Sequence, residues 1–124
     1  MKKIILILMV TISTMSFSMS ITVEQFVLNK EILTQQENYN DLVVNSEKYI
    51  ESIKNYSNID YLDGSVKIEK TLWTLLEKKE KELMLLVFLI DMFDKTNSTD
   101  IRVNIDYTTV LWVFMDTVQK KRVY

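Results

Sequence analysis

Residues 83–90 read Leu-Met-Leu-Leu-Val-Phe-Leu-Ile, an unbroken apolar run that a folded chain has to bury. Eight residues are far short of the ~20 that a membrane-spanning helix needs. The run is therefore read as a core segment, apolar all round because other parts of the chain cover it from opposite sides. On either side of it the apolar residues keep a helical spacing. Ile68, Leu72, Leu75, Leu86, Leu89 and Phe93 fall on alternating steps of three and four, with Lys79 and Glu82 filling the two middle steps. Trp73, Leu76, Leu83, Val87 and Ile90 widen the stripe beyond a two-stranded seam. Neither Pro nor Gly interrupts residues 65–95, and Leu, Glu, Lys and Met favour helix. The spacing predicts one long amphipathic helix over 65–95, with Glu77 and Lys81 as a solvated i,i+4 pair.

The preceding segment carries a similar rhythm. Thr22-Val23-Glu24-Gln25 has the form of a capping box, and Ile21 with Phe26 the spacing of a hydrophobic staple, so a helix is expected to start at Thr22. Leu28, Ile32, Gln35, Tyr39, Leu42, Ser46, Tyr49, Ile53 and Tyr56 then follow at steps of four and three, with Gln35 and Ser46 as polar interruptions. Residues 23–57 are expected as one helix or as two split near Asn38, the unbroken register favouring one. Residues 55–65 gather Asn, Ser, Asp and the dipeptide Asp63-Gly64, a turn signal, and Ser65 can cap the next helix.

Residues 101–118 admit two readings. Ile101, Val103, Ile105 and Tyr107 alternate with Arg102, Asn104 and Asp106 as in a half-buried strand. On a helical wheel the polar residues Arg102, Asp106, Thr109, Asp116 and Lys120 gather on one arc. Since a strand needs a partner and no second strong strand pattern is present, helix is preferred. The expected fold is all-α: a small helical bundle or long helical hairpin, with the C-terminal segment 101–118 as an alternative strand.

The N-terminus points to export. Met1-Lys2-Lys3 is a basic start, residues 4–12 are apolar, and Ser16, Ser18 and Ser20 offer small-x-small cleavage sites. We expect a signal peptide over 1–20 and a single domain over 21–124. Removing residues 1–20 takes two of the 15 basic residues and none of the 17 acidic ones, leaving a net charge of −4. That balance argues against a nucleic-acid partner, which would select a basic face. An exported chain without Cys has no disulfides, so packing or self-association must hold it together.

Composition removes several chemistries. The chain has no His and no Cys, which excludes Ser-His-Asp and Cys-His sites and imidazole or thiolate metal sites. One Gly cannot build a glycine-rich phosphate loop. Carboxylates remain: Glu77, Glu80, Asp91 and Asp94 on the long helical segment, the residue types of glycoside hydrolysis. Acids at helix edges serve solubility far more often. Asp60, Asp63 and Gly64 suggest a calcium loop, but Ile59, Tyr61 and Lys70 stand where such a loop needs oxygen ligands. Tyr39, Tyr49 and Tyr56 could face a partner or pack with hydroxyls at the rim, and the second is preferred. Trp73 and Trp112 are read as core anchors. Lys120-Lys121-Arg122 is a weak anionic-lipid signal.

No catalytic, cofactor-binding or metal residue is assigned, and no cofactor is expected. The expected role is an exported, non-enzymatic protein–protein interaction or adhesion-like module of the bacterial envelope, periplasmic, surface-held or secreted. A signal peptide followed by a helical hairpin is similar in outline to small helical bacterial adhesins, which are richer in Ala than this Ala-free chain. A protein partner or self-association through the four-heptad seam is expected, with membrane contact possible. The alternatives are a membrane-associated envelope factor and, more remotely, a carboxylate hydrolase.

Overall fold

The computed structural model describes residues 22–34 and 39–114. Their elements run α1 (Val23–Thr34), α2 (Tyr39–Ser52), a 3-10 turn (Lys54–Tyr56), β1 (Ser57–Asp60), β2 (Ser65–Ile68), a single-turn helix α3 (Lys70–Trp73), α4 (Lys78–Lys95), β3 (Asp100–Ile105) and β4 (Thr108–Phe114). The strands form one mixed sheet in the order β1-β2-β3-β4. β1–β2 and β3–β4 are antiparallel hairpins, and β2–β3 is parallel. The expected all-α bundle, helical hairpin and coiled coil are therefore corrected to an α/β fold.

The long helix expected over 65–95 divides into a strand, one helical turn and α4. Val66 and Ile68 alternate with Ser65 and Lys67, and pairing with β3 buries both apolar residues completely. Four residues are too few to display a period, so Ile68 was counted into the helical stripe that follows. The break before α4 has a local cause. The Glu80 carboxylate accepts the Glu77 amide at 2.9 Å, so Glu77 starts a helix rather than sitting inside one.

The preferred helical reading of 101–118 is also corrected. Residues 100–105 and 108–114 are strands joined by the two-residue turn Asp106-Tyr107, with Asp106 at φ 53°. β3 finds its partners in β4, within the same segment, and in β2, whose four residues show no pattern of their own. β1 lies inside the region expected as a turn. Within residues 23–57 helix is described over Val23–Thr34 and Tyr39–Ser52, with a strand starting at Ser57, and the position near Asn38 where a split was expected lies outside the described residues. Thr22 caps α1 as expected: its hydroxyl accepts the Gln25 amide and Gln25 Oε1 accepts the Thr22 amide, both at 3.1 Å. Ile21, residues 1–20, where a signal peptide was expected, and Lys120–Arg122 lie outside the described residues.

α4 is the centre of the molecule. The sheet packs on one side of it and α1 with α2 on the other. This sandwich accounts for the apolar run: Met84 and residues 86–90 are buried, as are Met92 and Phe93. From the sheet come Val66, Ile68, Ile101, Val103, Ile105 and Val113; from the helices come Phe26, Tyr39, Leu42, Val43 and Tyr49. Phe26 meets Phe93 edge to face, with ring centroids 5.6 Å apart. The face of α2 that carried the heptad pattern is thus spent on α4. Ser46, its polar interruption, is buried and donates to the Leu42 carbonyl at 2.8 Å. Leu28, counted into the same seam, is 72% exposed, and Phe26 takes the buried place. The coiled-coil contact expected between copies has no free surface there.

Candidate functional site

One buried polar cluster and one open surface stand out. The cluster gathers at the C-terminal end of α4. Asp91 is fully buried on an otherwise apolar face and accepts the Tyr61 hydroxyl at 2.5 Å and the Lys95 ammonium. Lys95 also reaches Glu47 of α2 at 3.0 Å. Thr96, just past the helix, donates its hydroxyl to the Tyr61 carbonyl and accepts the Ser98 amide. Three segments distant in sequence are fastened here: the β1–β2 loop, α2 and the α4–β3 connection. The chemistry is that of a fastening, since each partner of Asp91 is a donor already satisfied by it.

Burial pushes the Tyr61 phenol well above its ordinary value near 10, helped by its hydrogen bond to Asp91 and the charges of Asp91 and Glu47. Tyr49 moves the same way through burial, with Glu80 adding to it. Burial pulls the Lys95 ammonium down, but hydrogen bonds to Asp91 and Glu47 outweigh this and leave it above its ordinary value. A group held protonated longer in the folded state adds stability that is complete below its unfolded pKa. That stability is lost as pH rises through the folded one. Folding stability is therefore expected to fall as pH rises beyond about 10. Denaturation midpoints across that range should fall less steeply for Tyr61→Phe and for Tyr49→Phe than for the parent. Parallel curves would show that neither phenol is linked to folding.

The carboxylates singled out in the sequence do not converge. Glu77 and Glu80 stand at the start of α4 and Asp91 and Asp94 near its end, so Glu80 and Asp91 are separated by roughly 16 Å of helix rise. Paired glycosidase carboxylates lie within about 5–9.5 Å. Asp60 is a turn residue whose Oδ1 accepts the Leu62 and Asp63 amides, and Asp63 pairs with Arg102 at 2.8 Å. Among the described residues no group of three or more carboxylates could hold a metal ion. Of the tyrosines, Tyr39 and Tyr49 are core residues and Tyr56 is half-buried. Trp73 is half-buried under the Lys81 ammonium, 5.3 Å from its ring centre. A cavity of about 230 Å³ lined by Asn55, Tyr56, Ser57, Asn58, Lys67 and Glu69 is smaller than the ~300–1,000 Å³ of small-molecule sites.

The open surface is the far side of the sheet. Pairing places Asp60, Ser65, Arg102 and Trp112 in one row across it, Asn58, Lys67, Asn104 and Thr109 in the next, and Asp100 beside Phe114 at the end. No described element covers this face. Trp112, read from sequence as a core anchor, is 59% exposed and Phe114 is 69% exposed. Their ring centroids lie 5.6 Å apart. The Trp112 indole donates to Asp100, which is also 3.8 Å from Arg102, so the larger ring is held in place by polar neighbours. Lys67 sits over Tyr107 at the other end of the face, 5.2 Å from its ring centre. β4 is an edge strand: β3 pairs with one side and no described strand with the other.

The aromatic pair escaped sequence reasoning because a one-residue bulge shifts the parity of β4. Val103 faces Leu111 while Asn104 faces Thr109, leaving Val110 unpaired. The shift keeps Leu111 and Val113 toward the core and sends Trp112 and Phe114 out. The i,i+2 spacing of the two rings was the legible signal, once β4 is taken as a strand. Among the described residues no helix is long and apolar enough to cross a membrane. Neither the scan against protein-family models nor the searches of curated proteins and solved structures finds a match to the chain.

Proposed function

We propose that this protein is an exported, non-enzymatic interaction module of the bacterial envelope that meets another polypeptide through its open sheet face. One observation carries this reading: two large aromatic rings stand side by side in solvent beside a strand edge that no described strand pairs with. Water gains nothing from such rings, while a partner strand would gain backbone hydrogen bonds and aromatic area together. The basic start, apolar segment and small-residue positions of residues 1–20 support export. The apolar run at 83–90, too short to span a membrane, is taken up by packing between the sheet and the paired helices.

The test is a photo-crosslinking side chain placed at position 112 in cells that make the protein, with the exposed Lys48 on the opposite side of α4 as control. A discrete protein adduct at 112 and none at 48 is the expected result. Equal labelling at both positions, or none at 112, would overturn the reading.

A further inference from the structure

We propose that the open sheet face receives a basic segment of its partner, laid along β4 with a lysine or arginine side chain over the Trp112–Phe114 ring pair. The proposal rests on the face being a polypeptide-binding surface and adds the charge of what binds there. The bulge at Val110 interrupts the β3–β4 ladder, so residues 111–114 are the stretch of β4 that offers a regular edge. Trp112 and Phe114 are the two residues this stretch sends to the open face, and both are exposed.

The charges around the rings select a cation. Asp60, Asp63 and Asp100 gather at this end of the sheet against one cation, Arg102, a local balance of −2. Arg102 is occupied by two of those acids: it pairs with Asp63 at 2.8 Å and lies 3.8 Å from Asp100. Asp100 receives the Trp112 indole and approaches Arg102 through the same oxygen, Oδ1. A carboxylate accepts through both oxygens, so the second remains for a cation set beside the rings. β4 itself carries no charge that would compete.

The same chemistry is already in use elsewhere in the molecule. Lys67 lies 5.2 Å from the Tyr107 ring centre, and Lys81 lies 5.3 Å from that of Trp73. Among the described residues no lysine or arginine stands over Trp112 or Phe114 in this way. The ring pair set among three acids is thus the one without a cation, although an indole face attracts one more strongly than a phenol does. A neutral partner would gain the ring area and leave the −2 field unanswered, and an acidic partner would be repelled by it. Two rings and a short strand edge make a small contact, so binding is reversible and charge decides its preference.

The test uses residues 21–124 with Trp73→Phe, which leaves Trp112 as the only indole, and three short peptides that alternate Val with Lys, with Gln or with Glu. Trp112 emission should shift on titration with the lysine peptide, at an affinity about tenfold above that of the glutamine peptide. The glutamate peptide should be weaker still, and the gap between lysine and glutamine should close as salt is raised to about 0.5 M. Asp100→Asn, which keeps an acceptor for the indole, should weaken the lysine peptide about threefold and leave the glutamine peptide unchanged. Phe114→Leu, which removes the ring and keeps an apolar side chain, should do the same. Equal affinity for the three peptides, or no shift with any of them up to about 1 mM, overturns the proposal. So does a shift of Trp112 emission, with no peptide present, when Lys120, Lys121 and Arg122 are replaced by Gln, since the chain's own basic residues would then be the occupant. A protein adduct at position 112 in the crosslinking experiment, beside peptides that show no preference for lysine, would remove the basic segment and leave the interaction surface standing. Absence of any adduct at 112 would remove both.

Discussion

Gly64→Ala should be the most damaging single substitution in the described part of the chain. Gly64 is the only glycine, sits at φ 78°, and has the Asp100 carbonyl oxygen 2.3 Å from where a Cβ would stand. The Ser98 side chain lies 2.9 Å from the same point. A backbone carbonyl in a sheet cannot swing aside as a surface side chain can. The Gly64 amide donates to the Asp60 carbonyl, and its own carbonyl accepts the Arg102 amide, both at 2.9 Å. Any shift that relieves the clash breaks the start of the β2–β3 seam. Left-handed strain and the collision together are expected to cost about 4 kcal/mol or more, out of the ~5–15 kcal/mol of a typical domain. Urea denaturation of the variant should show a large fall in midpoint or no cooperative transition. A midpoint within a few tenths molar of the parent would mean that the β1–β2 loop does not lie against β3.

Asp91→Ala should come next. Removing the carboxylate strips the Tyr61 hydroxyl of its acceptor and Lys95 of its buried partner. Lys95 is 30% exposed and keeps Glu47, so the loss belongs at the lower end for a broken buried pair, about 3 kcal/mol. Asp91→Asn keeps an acceptor for Tyr61 and should cost roughly half as much. The position of the damage is as informative as its size. Amide hydrogen exchange should speed up across residues 61–64 and near Thr96, where the fastening acts, before it does so in β3. Unchanged exchange in the loop would show that Asp91 stabilises α4 alone.

What was legible followed from segment length. The central burial of residues 83–93 was readable because α4 presents eighteen residues, enough to display both its stripe and its all-round apolar stretch. Thr22 was readable because two side-chain-to-backbone bonds have a fixed three-residue spacing. The sheet was not, since β1 and β2 supply four residues each and the pairing that joins their hairpin to β3 reaches across the whole span between Ile68 and Asp100. Ser65 pairs with Arg102, and no local pattern encodes that. The heptad over 28–56 misled for a related reason: its spacing is that of any helix face buried against another helix, and only the presence of α4 decides which. Asp91 looked like a candidate acid because its donor Tyr61 lies on another segment, in the β1–β2 loop, so a buried fastening and a catalytic carboxylate give the same single letter. The aromatic surface was hidden by the bulge at Val110.

The parallel join between β2 and β3 has a consequence for how the molecule comes together. Each hairpin closes over a loop of a few residues, so both can form early and alone. Their union cannot, because residues 69–99, α4 included, must first be laid across the sheet before the two middle strands come level. The entropy of closing that span is spent before the seam returns anything. The sheet is thus two locally closed hairpins held together by one long-range seam, and pairing of β2 with β3 is expected to wait on α4 being laid across them.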